Sequence, residues 1–257
     1  PMLRHTTLIA LLFTWIVTPA FSQLVCLPAP RLLTIMPMGG QAGSTFEVDL
    51  TGENIENVSE MIFSSPGITA KPVSGKENRF TVTVAPDTPE GIYDARIVSR
   101  LGISSARCFT VSQLEEVTQS EKNETLEKAA ELPLNSVCNA VMTARSIDFY
   151  SFSAKPDQRL VVECAAEGID SKLTPVVIIA DDRGRDLLVN RTGGIIDFVP
   201  PYEGTYHIKV NDLTYQGSDR HFYRLVVREV PGDDRPAPRH PATARVSSMS
   251  WPPAGLP

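Results

Sequence analysis

Asp87-Thr-Pro-Glu-Gly-Ile-Tyr93 and Pro200-Pro-Tyr-Glu-Gly-Thr-Tyr206 repeat one phrase, their closing tyrosines 113 residues apart. Each runs into an alternating segment, Ala95-Arg-Ile-Val98 and His207-Ile-Lys-Val210. A glycine two residues before a tyrosine, at the mouth of a late strand, is the corner chemistry of a β-sandwich. The glycine permits the tight turn, the ring packs inward, and the hydroxyl ties down nearby backbone. Two corners predict an all-β chain with two sandwiches.

Working outward from the first corner, residues 27–112 read as an immunoglobulin-like sandwich. Leu32–Met36 is a strand that stops at Pro37, and Met38–Gly43 is a turn-rich connection. Thr45–Thr51 alternates with period two and puts Phe46, Val48 and Leu50 on one face. Ser59–Phe63, Arg79–Ala85, Tyr93–Ser99 and Arg107–Val111 follow, with turns about every ten residues. Around the second corner, residues 132–229 yield eight strand candidates: Ser136–Met142, Asp148–Ala154, Arg159–Ala165, Pro175–Ala180, Asp186–Asn190, Ile195–Val199, Gly204–Val210 and Phe222–Arg228. Eight short strands without a long helix predict a jelly-roll-like sandwich. Asp181-Asp-Arg-Gly184 reads as a hairpin turn. Between the sandwiches, 113–131 is an acidic connector, read as solvated linker with a helical turn or two from Thr125.

The flanks differ in character. Arg4 and His5, the apolar run Leu8–Val17 and Ala20-Phe-Ser22 read as a signal peptide over 1–22. Residues 230–257 are proline-punctuated and aperiodic, a disordered tail or linker by composition. The 257 residues include 24 Lys+Arg against 30 Asp+Glu, a net charge of −6. That balance argues against a nucleic-acid surface, which would need a basic stripe. No stretch beyond the leader has the roughly 20 apolar residues that span a bilayer.

Four cysteines, Cys26, Cys108, Cys138 and Cys164, in an exported chain suggest disulfides. Pairing within each sandwich gives Cys26–Cys108 and Cys138–Cys164; free buried thiols are the alternative. With no C-x-x-C spacing, neither a zinc site nor a thioredoxin-like redox site is expected.

The second sandwich resembles the bacterial pre-peptidase C-terminal domain family across about residues 118–228. The resemblance is carried by Ser120-Glu-Lys-Asn-Glu124, Ile147-Asp-Phe-Tyr-Ser-Phe152, Gln158-Arg-Leu-Val-Val-Glu163, Val176-Val-Ile-Ile-Ala-Asp181, Glu203-Gly-Thr-Tyr206 and Tyr223-Arg-Leu-Val226. The first is similar to IPT/TIG-type domains through Gly40-Gln-Ala-Gly43, Leu50-Thr-Gly52 and its corner. The resemblance implies a non-catalytic accessory domain of exported proteins, linked to secretion, adhesion or targeting. It also implies calcium at the opening linker, with Glu121, Asn123, Glu124 and Asp148 at the matching positions. Gln119 and Ser146 stand where that pattern has acids, and Lys122 adds a positive charge. Calcium affinity depends on ligand charge, so these departures weaken the site.

Other chemistry is sparse. Of four histidines, His5 lies in the leader and His240 in the tail; His207 is expected to face solvent and His221 opens the last strand. Neither a Gly-x-Ser-x-Gly elbow nor a His-Glu-x-x-His helix is present. Tyr202, Tyr215 and Tyr223 are candidate sugar platforms near one end of the second sandwich, although tyrosines at strand ends usually pack their rings. The expected function is a secreted or envelope-located, non-enzymatic adhesion, targeting or spacer module, its partner an unidentified extracellular protein or glycan. An accessory portion of a secreted peptidase is the alternative.

Overall fold

A computed structural model of the chain describes residues 28–119, 121–191 and 193–231. The expected leader over 1–22, Cys26 and the tail beyond 231 lie outside them.

Nine strands form the first sandwich: β1 (Arg31–Met36), β2 (Gly39–Gln41), β3 (Thr45–Glu53), β4 (Glu60–Phe63), β5 (Ile68–Pro72), β6 (Arg79–Val84), β7 (Gly91–Ser99), β8 (Gly102–Ile103) and β9 (Arg107–Ser112). One sheet runs β1-β3-β6-β5; the other runs β2-β9-β7-β4, with β8 also on β7. Alternation decides which side chains meet: Val48, Leu50, Phe80 and Val82 from one sheet bury against Met61, Ala95, Ile97 and Phe109 from the other. Part of the expected turn at Met38–Gly43 is a strand, because β2 pairs in parallel with β9.

Ten strands form the second: β10 (Glu115–Thr118), β11 (Ala130–Glu131), β12 (Ser136–Val141), β13 (Asp148–Ala154), β14 (Arg159–Ala165), β15 (Pro175–Ala180), β16 (Asp186–Asn190), β17 (Gly194–Phe198), β18 (Gly204–Asp212) and β19 (Phe222–Val230). They make two five-stranded sheets, β10-β12-β19-β14-β17 and β11-β13-β18-β15-β16. Phe152, Phe198 and Tyr206 form the aromatic centre of the core, with ring centroids 5.1–6.4 Å apart. The acidic connector is more ordered than a solvated linker. Its start pairs in parallel with β12 as β10, its end pairs with β13 as β11, and a 3-10 turn over Leu126–Lys128 lies between. Sequence periodicity misses β10 and β11 because each is short and completed by a partner remote from local pattern.

Both corners close as their chemistry requires. Tyr93 Oη donates to Pro89 O and Tyr206 Oη donates to Tyr202 O, each at 2.7 Å and each four residues back.

The Cys138–Cys164 disulfide is not formed; both are free buried thiols. The register gives the reason. Cys138 on β12 and Cys164 on β14 both face Leu225 of β19, from opposite sides. Two ladder spacings separate their Cα atoms by about 10 Å, beyond the roughly 7 Å limit for a bridge. Cys108 is also a free thiol.

Candidate functional site

The residues expected to hold calcium lie where the strap between β10 and β11 meets the second sandwich. Asn123 is buried and fastens the strap to the start of β13. Its backbone O accepts from Phe149 N at 2.8 Å, and its Nδ2 donates to Phe149 O at 2.8 Å. Its remaining side-chain oxygen accepts from Gln119 Nε2. Asp148, buried at the head of β13, accepts from Tyr223 Oη at 2.6 Å. Glu121, Glu124 and Asp148 share a cavity of about 290 Å³ with Met36 of the first sandwich. Lys122 Nζ is 3.7 Å from Glu124 Oε1, and Ser146 Oγ bonds Thr143 O at 2.9 Å. Among the described residues, no three His, Cys, Asp or Glu side chains converge as metal ligands. Calcium wants six to eight oxygens. Here the Asn123 oxygen serves Gln119, Asp148 serves Tyr223, and a lysine occupies the rim, so the donor set as folded does not fit that ion.

A polar chain instead runs through the core. Cys138 Sγ lies 3.9 Å from Tyr150 Oη, Tyr150 Oη is 2.7 Å from Tyr223 Oη, and Tyr223 Oη donates to Asp148. Burial pushes the Asp148 carboxyl up to about 6 even though its bond from Tyr223 opposes the rise. Burial likewise pushes the Cys138 thiol up to about 11 and the Cys164 thiol higher still. A nucleophilic cysteine needs a thiolate, and these thiols stay protonated at neutral pH. The chain holds protons in place and orders the core. Cys138 and Tyr150 also form the floor of a 660 Å³ cavity between β10 and β11, with Val117, Asn123, Lys128 and Ala130 on its walls.

The most elaborate polar cluster lies at the junction of the sandwiches. Arg224 of β19 is 4% exposed. Its Nη1 donates to Asn139 Oδ1 of β12 at 2.9 Å and its Nη2 to Glu116 Oε1 of β10 at 2.5 Å. Asn139 Nδ2 donates to Glu116 Oε2 at 2.7 Å, and Ser112 Oγ of β9 donates to Glu116 Oε1 at 3.0 Å. Gly39 of β2 lets the guanidinium approach: a Cβ there would lie 2.3 Å from Arg224 Nη1. Below, Met38 of the first sandwich packs with Ile169 and Phe222 of the second. Asp170, at φ 68°, accepts the Cys108 N–H at 2.8 Å. The sequence offers a faint signal for this lock, an arginine inside the otherwise apolar run Phe222–Val227.

Sites expected for other chemistry are dispersed. His207 is buried rather than solvent-facing. Ser218 Oγ and His221 Nδ1 are 2.8 Å apart, but this is a local turn: Ser218 Oγ also caps Arg220 N, and no carboxylate among the described residues bonds His221. An activated nucleophile needs its base oriented by a third group. Tyr202 precedes β18 and Tyr215 follows it, so they lie at opposite ends of that strand; Tyr223 is wholly buried. The three do not share a platform.

No family model matches the chain, and no curated protein matches it. Among solved structures, it is similar to the pre-peptidase C-terminal domain of a Bacillus anthracis collagenase, at 13% identity and TM-score 0.32, covering 42% of this chain and 98% of that one. It is also similar to a periplasmic inhibitor of g-type lysozyme from Aeromonas hydrophila, at 16% identity and TM-score 0.30, over 38% and 96%. A third is the Bacteroides ovatus mixed-linkage glucan utilization locus protein SGBP-B, in complex with a mixed-linkage heptasaccharide, at 12% identity and TM-score 0.25, over 76% and 43%. Resemblance at this level speaks for neither a ligand nor an activity. Among the described residues, no helix is long and apolar enough to cross a membrane.

Proposed function

We propose that this chain is a non-catalytic spacer that presents a binding or targeting surface at fixed orientation, outside the cell or at its envelope. Its two modules span about 27–112 and 113–229, the second taking the acidic connector as part of its own sheets. The observation that carries the reading is the junction. Ser112 of the first module donates to Glu116 of the second, which Arg224 and Asn139 hold from the same sheet, and Met38 inserts beside Ile169 and Phe222. Domains free to move share small, more polar contacts; here the Ser112 bond to Glu116, the Cys108 N–H bond to Asp170 and the apolar Met38 contact cross between the modules at three points, and displacement would break all three. A rod with a stiff joint transmits position, which suits spacing and presentation. The partner is an extracellular protein or glycan.

Paramagnetic alignment tests this. With a lanthanide tag on the first module, residual dipolar couplings from both modules should fit one alignment tensor. A much weaker tensor for the second would refute the stiff joint. Screening the chain against glycan and matrix-protein arrays then tests presentation of a binding surface.

A further inference from the structure

His207 occupies the row Ser151–His207–Ala180 across β13, β18 and β15. Tyr206 and Ile208 on either side point into the core, so its ring lies on the outer face of the sheet. An outer-face histidine is expected in water, yet this one is 8% exposed. The strap supplies the cover. It leaves the start of β13 at Asn123, rises through the 3-10 turn and re-enters as β11 beside Tyr150 and Ser151. Leu126 reaches across to Gly184, where a Cβ would lie 3.2 Å from Leu126 Cδ2. Lys209, two residues beyond His207 on the same face, donates Nζ to Gly184 O at 2.8 Å and pins that turn down. Beneath this roof His207 Nδ1 is buried without a hydrogen-bond partner.

The charges around the ring are mixed. The β15–β16 turn brings Asp181 and Asp182, the first held by Arg185 Nε at 2.6 Å. Its own strand brings Lys209, itself paired with Asp186. The 3-10 turn carries Glu127 and Lys128, β11 carries Glu131, and β13 offers the uncharged Ser151. Burial holds the imidazole below its ordinary pKa despite a hydrogen bond to the Tyr150 backbone and the two aspartates.

We propose that His207 is a proton-sensitive latch for the strap over residues 124–129. A neutral imidazole lets Leu126 close over it. Protonation at Nδ1 puts a second N–H and a charge beneath the roof, where Nδ1 has no partner and burial outweighs the Tyr150 backbone bond and the two aspartates, so the strap lifts. Lifting widens the 660 Å³ cavity that descends to Cys138 and Tyr150. The device is acid-opened and neutral-closed.

Hydrogen exchange on the full chain tests it, in an Asp148→Asn background that removes a buried acid whose pKa of about 6 lies within the range scanned. The reporters are the amides of Lys128 and Ala129, which bond Thr125 O and Leu126 O. After correction for intrinsic rates, their opening should rise on going from about pH 7.5 to about pH 5, by about tenfold for each unit by which strap closure lowers the imidazole pKa. His207→Gln should abolish the rise, and an equal rise in that variant overturns the latch. Independently of Asp148→Asn, NMR titration of His207 in Leu126→Ala should move its midpoint upward from that of the parent chain. An unchanged midpoint overturns the claim that the strap sets it.

Discussion

Replacing Arg224 by methionine removes one partner of the junction cluster and leaves the Glu116 carboxyl, 15% exposed at its side chain, with only Asn139 Nδ2 and Ser112 Oγ to bond it. Two charge-assisted bonds disappear, to Glu116 and Asn139. Stripping one partner from a buried ion pair costs about 3–5 kcal/mol, most of it the penalty of the stranded charge. Glu116→Gln keeps the shape and the Asn139 contact but strands the guanidinium, so it should cost a similar amount. Glu116→Met with Arg224→Met together removes both charges and should cost far less than the sum, since apolar replacement of a whole buried pair is often near neutral. Urea unfolding followed by circular dichroism, over the full cycle of single and double variants, measures the coupling. A coupling below about 1 kcal/mol, within the range of exposed ion pairs, would refute the reasoning that this pair is buried and mutually dependent. Gly39→Ala probes the same place from the other sandwich: its Cβ would press on Arg224 Nη1 and on the Thr110 backbone oxygen, each at 2.3 Å, and should loosen the joint even though no charge changes.

Asp148 makes stability fall with rising pH. Its folded pKa of about 6 exceeds the ordinary carboxylic value of 3.8, so its contribution is full below about 4 and lost as pH climbs through about 6. The shift corresponds to about 3 kcal/mol, and Asp148→Asn should flatten that part of the pH–stability profile; an unaltered profile would show the carboxyl to be solvated. Intact mass under non-reducing conditions should show Cys138 and Cys164 as thiols, resistant to alkylation until the chain unfolds; a mass lowered by a bridge between them would overturn the register argument. Tyr206→Phe should cost about 1–2 kcal/mol through its lost bond to Tyr202 O, and Tyr93→Phe less, because its ring is only part buried. Millimolar calcium should leave the melting temperature unmoved, while a clear rise would mean that Glu121 and Glu124 swing into a donor set different from the folded one.

Local chemistry made much of the architecture readable before folding. The Gly-x-Tyr phrases at 91–93 and 204–206 announce their corners because glycine, ring and hydroxyl act within four residues of one another. Segments such as Arg79–Val84 and Asp148–Ala154 show their strands through a two-residue period that the chain carries by itself. Tertiary structure decided the rest, because the deciding groups meet from far apart in sequence. Arg224 and Glu116 are 108 residues apart and find each other only when β10 joins the sheet of β19. Cys138 and Cys164 are separated because β19 inserts between their strands, an order that no spacing reveals. His207 has the alternation of an exposed residue and is nevertheless buried in the folded chain. Periodicity fixes which side of a strand a residue takes; what covers that side depends on the path of the whole chain.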